Sequence, residues 1–83
     1  MMSSRQRQWF EREGLGPPLN PGAVSPFDTW FVINQTDKRV AESHFSEDTC
    51  RAKAQVLQEH AEAVGLGTRY EVRRIPQYPG VPL

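Results

Sequence analysis

The chain has 83 residues, and its ten Lys and Arg against ten Asp and Glu give zero formal net charge. This length allows one small domain that buries about 60 to 65% of its unfolded surface, and the neutral charge excludes the general basic field of a non-specific nucleic-acid binder. One cysteine, Cys50, excludes an internal disulfide framework and a multi-cysteine zinc site. Because the sequence also lacks an apolar run of transmembrane length and a signal peptide, we expect a cytoplasmic protein without membrane contact.

Residues 1–26 are predicted to form an N-terminal arm. Within the arm, the stretch SRQRQWFERE at residues 4–13 contains good helix formers and is followed by the stop signals GLGPP, which predicts a short helix. A helix of this length is not stable without packing. Residues 14–26 carry four prolines and three glycines, and we interpret them as an extended connector.

Residues 27–76 are predicted to form an α+β core. The β-branched and aromatic stretch at 28–34, the turn QTDK and the stretch RVAESHF at 39–45 favour a β-hairpin. Ser46 is a candidate N-cap for a long helix that runs from Glu47 to Val64, because Gly65 and Gly67 follow. Residues 68–75 then form a third strand that ends at Pro76, and residues 77–83 form a Pro-rich C-terminal tail.

This β-β-α-β order predicts a three-stranded antiparallel sheet with the first strand in the middle and the long helix across one face. The central strand has four consecutive apolar side chains, from Trp30 to Ile33, so both of its faces need cover. Either Phe31 with Ile33 or Trp30 with Val32 faces the helix, with help from Tyr70 and Val72. Three alternatives remain for the other face: residues 1–24 fold back over it, it binds another molecule, or it forms a homodimer.

The sequence favours a protein without catalytic activity, cofactor or metal. It contains no Gly-rich phosphate loop, His-Glu-x-x-His pattern, Cys-x-x-Cys pair or nucleophile elbow. Cys50 lies on the apolar stripe of the predicted helix with Ala54 and Leu57, which indicates an inert core thiol. Lys53 and His60 fall inside the same apolar arc, where their polar ends must reach water or acidic partners.

Binding is therefore the expected activity, and a protein partner is preferred. Aromatic residues and arginines dominate binding hot spots, so the candidate anchors on the sheet face or edge are Trp30, Tyr70, Arg69, Arg73 and Arg74. Sheet-edge addition and a homodimer both remain open. The alternative is a small RNA- or DNA-binding protein that stacks bases on an arginine and aromatic sheet face, although Glu71 interrupts those arginines.

Two stretches resemble known proteins. The stretch SPFDTWFVIN at residues 25–34 resembles the opening of MbtH-like partners of peptide synthetases, but that family's Ser-Leu-Trp-Pro and Gly-Trp motifs are absent, so we do not assign the chain to it. The pattern from WFVIN through the Ala-rich helix to YEVRRI is similar to small orphan proteins of phages and other mobile elements. That resemblance implies a protein that binds and inhibits a host machine, with CRISPR–Cas effectors among the candidates.

Overall fold

The computed structural model describes residues 3–75 and has the predicted α+β architecture. Its elements are helix α1 (Ser4–Arg12), a 3-10 turn (Pro21–Ala23), strands β1 (Trp30–Asn34) and β2 (Arg39–His44), helix α2 (Glu47–Ala63) and strand β3 (Tyr70–Arg74). The strands form one antiparallel sheet in the order β2-β1-β3, which confirms that the first strand is central. The strands are slightly shorter than predicted, and the tail at 77–83 lies outside the described residues.

The β1–β2 hairpin closes through the side chain of Asn34. Its Oδ1 accepts a hydrogen bond from the Asp37 backbone N–H at 3.0 Å, and its Nδ2 donates to Asp37 Oδ2 at 3.2 Å. Lys38 completes the turn in the left-handed region, with φ of 57°. A bulge between Val32 and Ile33 follows, so that Val32 pairs with Glu42 but Ile33 pairs with Val40. Ala41 is the extra residue of the bulge, which places Ser43 instead of Glu42 opposite Phe31.

Helix α1 covers the sheet face that carries Phe31 and Ile33. Trp9 stacks on Phe31 with ring centroids 5.1 Å apart, and Phe10 meets Phe31 edge-on at 5.3 Å. These side chains belong to one buried cluster: Trp9, Phe10, Val24, Phe31, Ile33, Val40 and Ile75. Of the three alternatives for this face, the structure therefore shows the first, in which the N-terminal arm folds back over the sheet.

Helix α2 lies across the opposite face, where side-chain alternation places Trp30 and Val32. It contributes the buried residues Cys50 and Ala61, whereas Lys53 and His60 are exposed. The helix begins at the predicted cap, because Ser46 Oγ accepts a hydrogen bond from the Thr49 N–H at 3.2 Å. It ends where Gly65 adopts a φ of 77° and the Leu66 N–H donates to the Ala61 carbonyl at 2.8 Å.

The connector runs along the outer edge of β2. The Gly16 N–H donates to the Lys38 carbonyl and the Leu19 N–H donates to the Val40 carbonyl, both at 2.8 Å. Arg39 Nε also donates to the Pro17 carbonyl at 2.7 Å. The segment that we predicted to be a connector thus occupies the first part of the outer edge of β2 and protects the backbone carbonyls of Lys38 and Val40.

Candidate functional site

Two large aromatic side chains are almost fully exposed at one end of the sheet. Phe27 is 81% exposed and Phe45 is 82% exposed. Phe27 lies three residues before Trp30, and Phe45 follows His44, which pairs directly with Trp30. On the other side, Arg74 pairs with Trp30, and its guanidinium carbon lies 5.6 Å from the indole centroid. We call Phe27, Trp30, Phe45 and Arg74 the aromatic end.

Buried polar contacts hold the turn that presents Phe27. The Asp28 N–H donates to the Ser25 carbonyl at 3.1 Å and closes the turn. From α1, the buried Gln6 amide donates to both carbonyls of this turn, Ser25 at 2.7 Å and Asp28 at 2.9 Å. The Ser43 hydroxyl, on β2, contacts Asp28 Oδ2 at 2.7 Å. The exposure of Phe27 is therefore a property of a well-bonded backbone, not of a loose loop.

Three acidic residues flank Phe27 and Phe45 along the chain. Asp28 lies between Phe27 and Trp30, and Glu47 and Asp48 form the first turn of α2 directly after Phe45. Glu47 is paired with Arg51 at 2.7 Å. The backbone phosphates of a nucleic acid would be repelled by carboxylates at these positions.

The predicted anchors Tyr70 and Arg69 lie at the other end of β3. The structure brings Trp30 and Arg74 together but places Tyr70 opposite Asn34, four residues along the sheet from Trp30. Tyr70 and Arg69 line an open groove of about 540 Å³ between the C-terminal end of α2 and the start of β3. Gln58 of α2 spans the groove, with its Oε1 accepting from the Tyr70 N–H at 3.0 Å and its Nε2 donating to the Thr68 carbonyl at 3.0 Å.

Arg73 lies on the opposite face, beside α1. Its guanidinium makes two contacts with the Glu71 carboxylate, at 2.7 and 3.3 Å, and a longer one with Glu13 at 3.6 Å. Since α1 covers this face and two carboxylates contact the arginine, the five predicted anchors do not form one continuous surface. They divide into the aromatic end, the Tyr70 groove and the Arg73 side.

Cys50 is held as a neutral thiol. It is fully buried, and this burial raises its pKa from 9.0 to about 11, with the nearby Glu42 carboxylate acting in the same direction. A thiol with such a pKa is a poor nucleophile at neutral pH. Within residues 3–75 no group of three His, Cys, Asp or Glu side chains is arranged to hold a metal ion, and no helix in this range has the length and apolarity needed to cross a membrane.

Sequence reasoning missed Phe27 and Phe45 as candidate anchors. Both lie next to a signal that marks the boundary of an element: Phe27 follows Pro26 in a turn, and Phe45 precedes the N-cap Ser46. An apolar residue at such a junction lies outside the alternation that buries its neighbours, so its exposure is predictable in retrospect. Comparison of the chain with protein-family models, curated proteins and solved structures finds no match.

Proposed function

We propose that this protein is a non-catalytic protein–protein interaction module and that the aromatic end is its contact surface. The observation that carries the proposal is the exposure of Phe27 and Phe45 on a rigid, hydrogen-bonded scaffold. Exposed aromatic side chains lose water-contacting area when a partner covers them, and Trp and Arg beside them are frequent hot-spot residues. The acidic surroundings favour a protein partner over a nucleic acid.

The resemblance to mobile-element proteins supplies the wider hypothesis that the partner is a host machine which this protein inhibits. The alternative of nucleic-acid binding through an arginine and aromatic sheet face has less support. Helix α2 lies on one face of the sheet and the aromatic side chains of α1 pack on the other, and Arg73 contacts Glu71 and Glu13. Recovery of nucleic acid alone in the experiment below would therefore count against the proposal of a protein partner.

The test is affinity capture of the tagged protein from its host's lysate, with and without nuclease. We expect a stoichiometric protein that survives nuclease and is lost from the double variant Phe27→Ser, Phe45→Ser. The matched control is Val56→Ser, Val64→Ser, which removes comparably exposed apolar side chains from α2, away from the aromatic end. Equal capture by both double variants, or recovery of nucleic acid alone, would overturn the proposal.

A further inference from the structure

Within residues 3–75, strand β3 pairs only with β1 and leaves its other edge open. On the far side of the sheet, the connector bonds to the outer edge of β2 at Lys38 and Val40. An unpaired edge strand is a template for the strand of another chain. The question is which chain fits it.

The backbone pattern shows which groups of β3 point outward. The Gln35 N–H donates to the Arg69 carbonyl and the Ile75 N–H donates to the Thr29 carbonyl, so the odd-numbered residues of β3 bond to β1. In an antiparallel ladder the alternate residues direct their N–H and C=O groups away from that neighbour. These are Tyr70, Val72 and Arg74, and Gln58 already satisfies the Tyr70 N–H.

The side chains of β3 are complementary to those of a second copy of the same strand. We propose that β3 pairs antiparallel with the β3 of an identical protomer about a twofold axis at Val72. Glu71 then lies opposite the partner's Arg73, Tyr70 lies opposite the partner's Arg74, and the two Val72 side chains meet. Opposite charges and aromatic–cation pairs across strands are favourable contacts.

Charge selects this register over its neighbours. An axis shifted to Glu71 would place two glutamates opposite each other, and an axis shifted to Arg73 would oppose two arginines; like charges directly opposite one another are destabilising. The axis at Val72 also uses the outward backbone groups of Val72, together with the Arg74 N–H and the Tyr70 carbonyl, and leaves the Tyr70 N–H bonded to Gln58. This interface shares Arg74 with the aromatic end but does not use Phe27, Trp30 or Phe45, and it gives Tyr70, Arg73 and Arg74 a second copy as their partner.

Charge reversal tests the pairing by sedimentation velocity of the full chain across micromolar concentrations. We expect a wild-type dimer, and we expect Glu71→Arg or Arg73→Glu alone to raise the dimer Kd about tenfold or more, because each opposes like charges at two symmetric positions. The double variant E71R/R73E, and an equimolar mixture of the two single variants, should restore the dimer. Glu59→Arg, on the exposed side of α2, is the matched control and should stay dimeric.

A second variant separates loss of pairing from loss of folding. Val72→Pro removes an N–H that points away from β1, so the monomer keeps its internal ladder while the dimer loses both symmetric backbone bonds at its axis. We expect a folded monomer by circular dichroism and sedimentation. A wild-type chain that is monomeric at about 100 µM, the highest concentration of the sedimentation series, would overturn the proposal. If the Val72 and Arg74 amides of that monomer were protected from hydrogen exchange, another segment of the same chain would be the partner of this edge. A dimer that survives both Glu71→Arg and Val72→Pro would also overturn it.

Discussion

Gln6 shows how one polar side chain can hold a fold together. Its amide is buried, donates to two carbonyls that lie 19 and 22 residues away in the chain, and accepts from the Ser3 N–H in the capping box of α1. One residue thus caps the helix and attaches it to the turn before β1. Buried polar groups with complete partners fix one arrangement of a core, since any other arrangement leaves them unsatisfied.

Replacement of Gln6 by Ala should therefore be costly. We expect Gln6→Ala to lower the free energy of unfolding by about 2 to 3 kcal/mol, because two buried hydrogen bonds from the Gln6 amide are lost and the capping box is broken. The measurement is urea denaturation followed by circular dichroism. Gln8→Ala, exposed on the same helix, should change the stability by less than about 0.5 kcal/mol. Equal effects of the two variants would contradict this role of Gln6.

Cys50 should give the protein a stability that falls at alkaline pH. Its pKa is about 11 in the folded chain against 9.0 without burial, so above pH 9 the unfolded chain releases a proton that the folded chain retains. The contribution of the thiol is complete below pH 9 and is lost as the pH rises from 9 to about 11. We expect the wild type to lose more stability than Cys50→Ala over this range in parallel urea titrations. Parallel pH profiles would show that the thiol does not carry the effect.

At the scale of the element, α2 depends on its first turn. Ser46 accepts from the Thr49 N–H, and Glu47 and Asp48 place negative charge near the positive end of the helix dipole. We expect Ser46→Ala to lower the free energy of unfolding by about 1 kcal/mol, whereas Ser46→Asp should retain most of the stability because aspartate also caps. Thermal or urea unfolding of the three proteins measures this. If Ser46→Asp is as unstable as Ser46→Ala, the cap is not the cause.

The elements themselves were largely predictable, because their signals are local. The run of β-branched residues in β1, the cap at Ser46 and the glycines after α2 each lie within a few residues of the structure that they determine. The run of four apolar residues from Trp30 to Ile33 also predicted that both faces of β1 need cover. It could not identify the cover, since nothing local to Phe31 specifies that Trp9 stacks on it.

The candidate site was harder to predict for the same reason. The sequence placed five anchors on one sheet face or edge. Because side chains alternate between the two faces along a strand, Arg73 lies on the α1 face and Arg74 lies on the α2 face. Gln6 donates to backbone carbonyls, and the connector bonds to β2 through backbone groups on both sides. Every residue has these backbone groups, so no residue type in the sequence indicates such bonds. Long-range hydrogen bonds to carbonyls therefore set the limit of what this sequence reveals.

At the scale of the whole molecule, the N-terminal arm is part of the core. It supplies three members of the buried cluster, namely Trp9, Phe10 and Val24. We expect a chain that begins at Ser25 to lack cooperative unfolding, because even a single Trp-to-Ala change in a core costs about 3 to 5 kcal/mol and a small domain has little stability in reserve. Amide dispersion in NMR spectra measures this. The full-length variant Phe27→Ala, altered at an exposed aromatic, should keep dispersed signals, and a dispersed spectrum from the truncated chain would contradict the prediction.

The connector along β2 also decides how far assembly can proceed. A sheet with two open edges adds subunits indefinitely at both ends and grows into a fibre, whereas a sheet with one open edge has a single way to associate. Residues 16–19 bond to the outer edge of β2 at Lys38 and Val40 and hinder strand addition there, so the proposed pairing through β3 would close after two subunits. The proline-rich connector is thus expected to hinder growth of the sheet beyond the proposed dimer and to lower the risk of fibres.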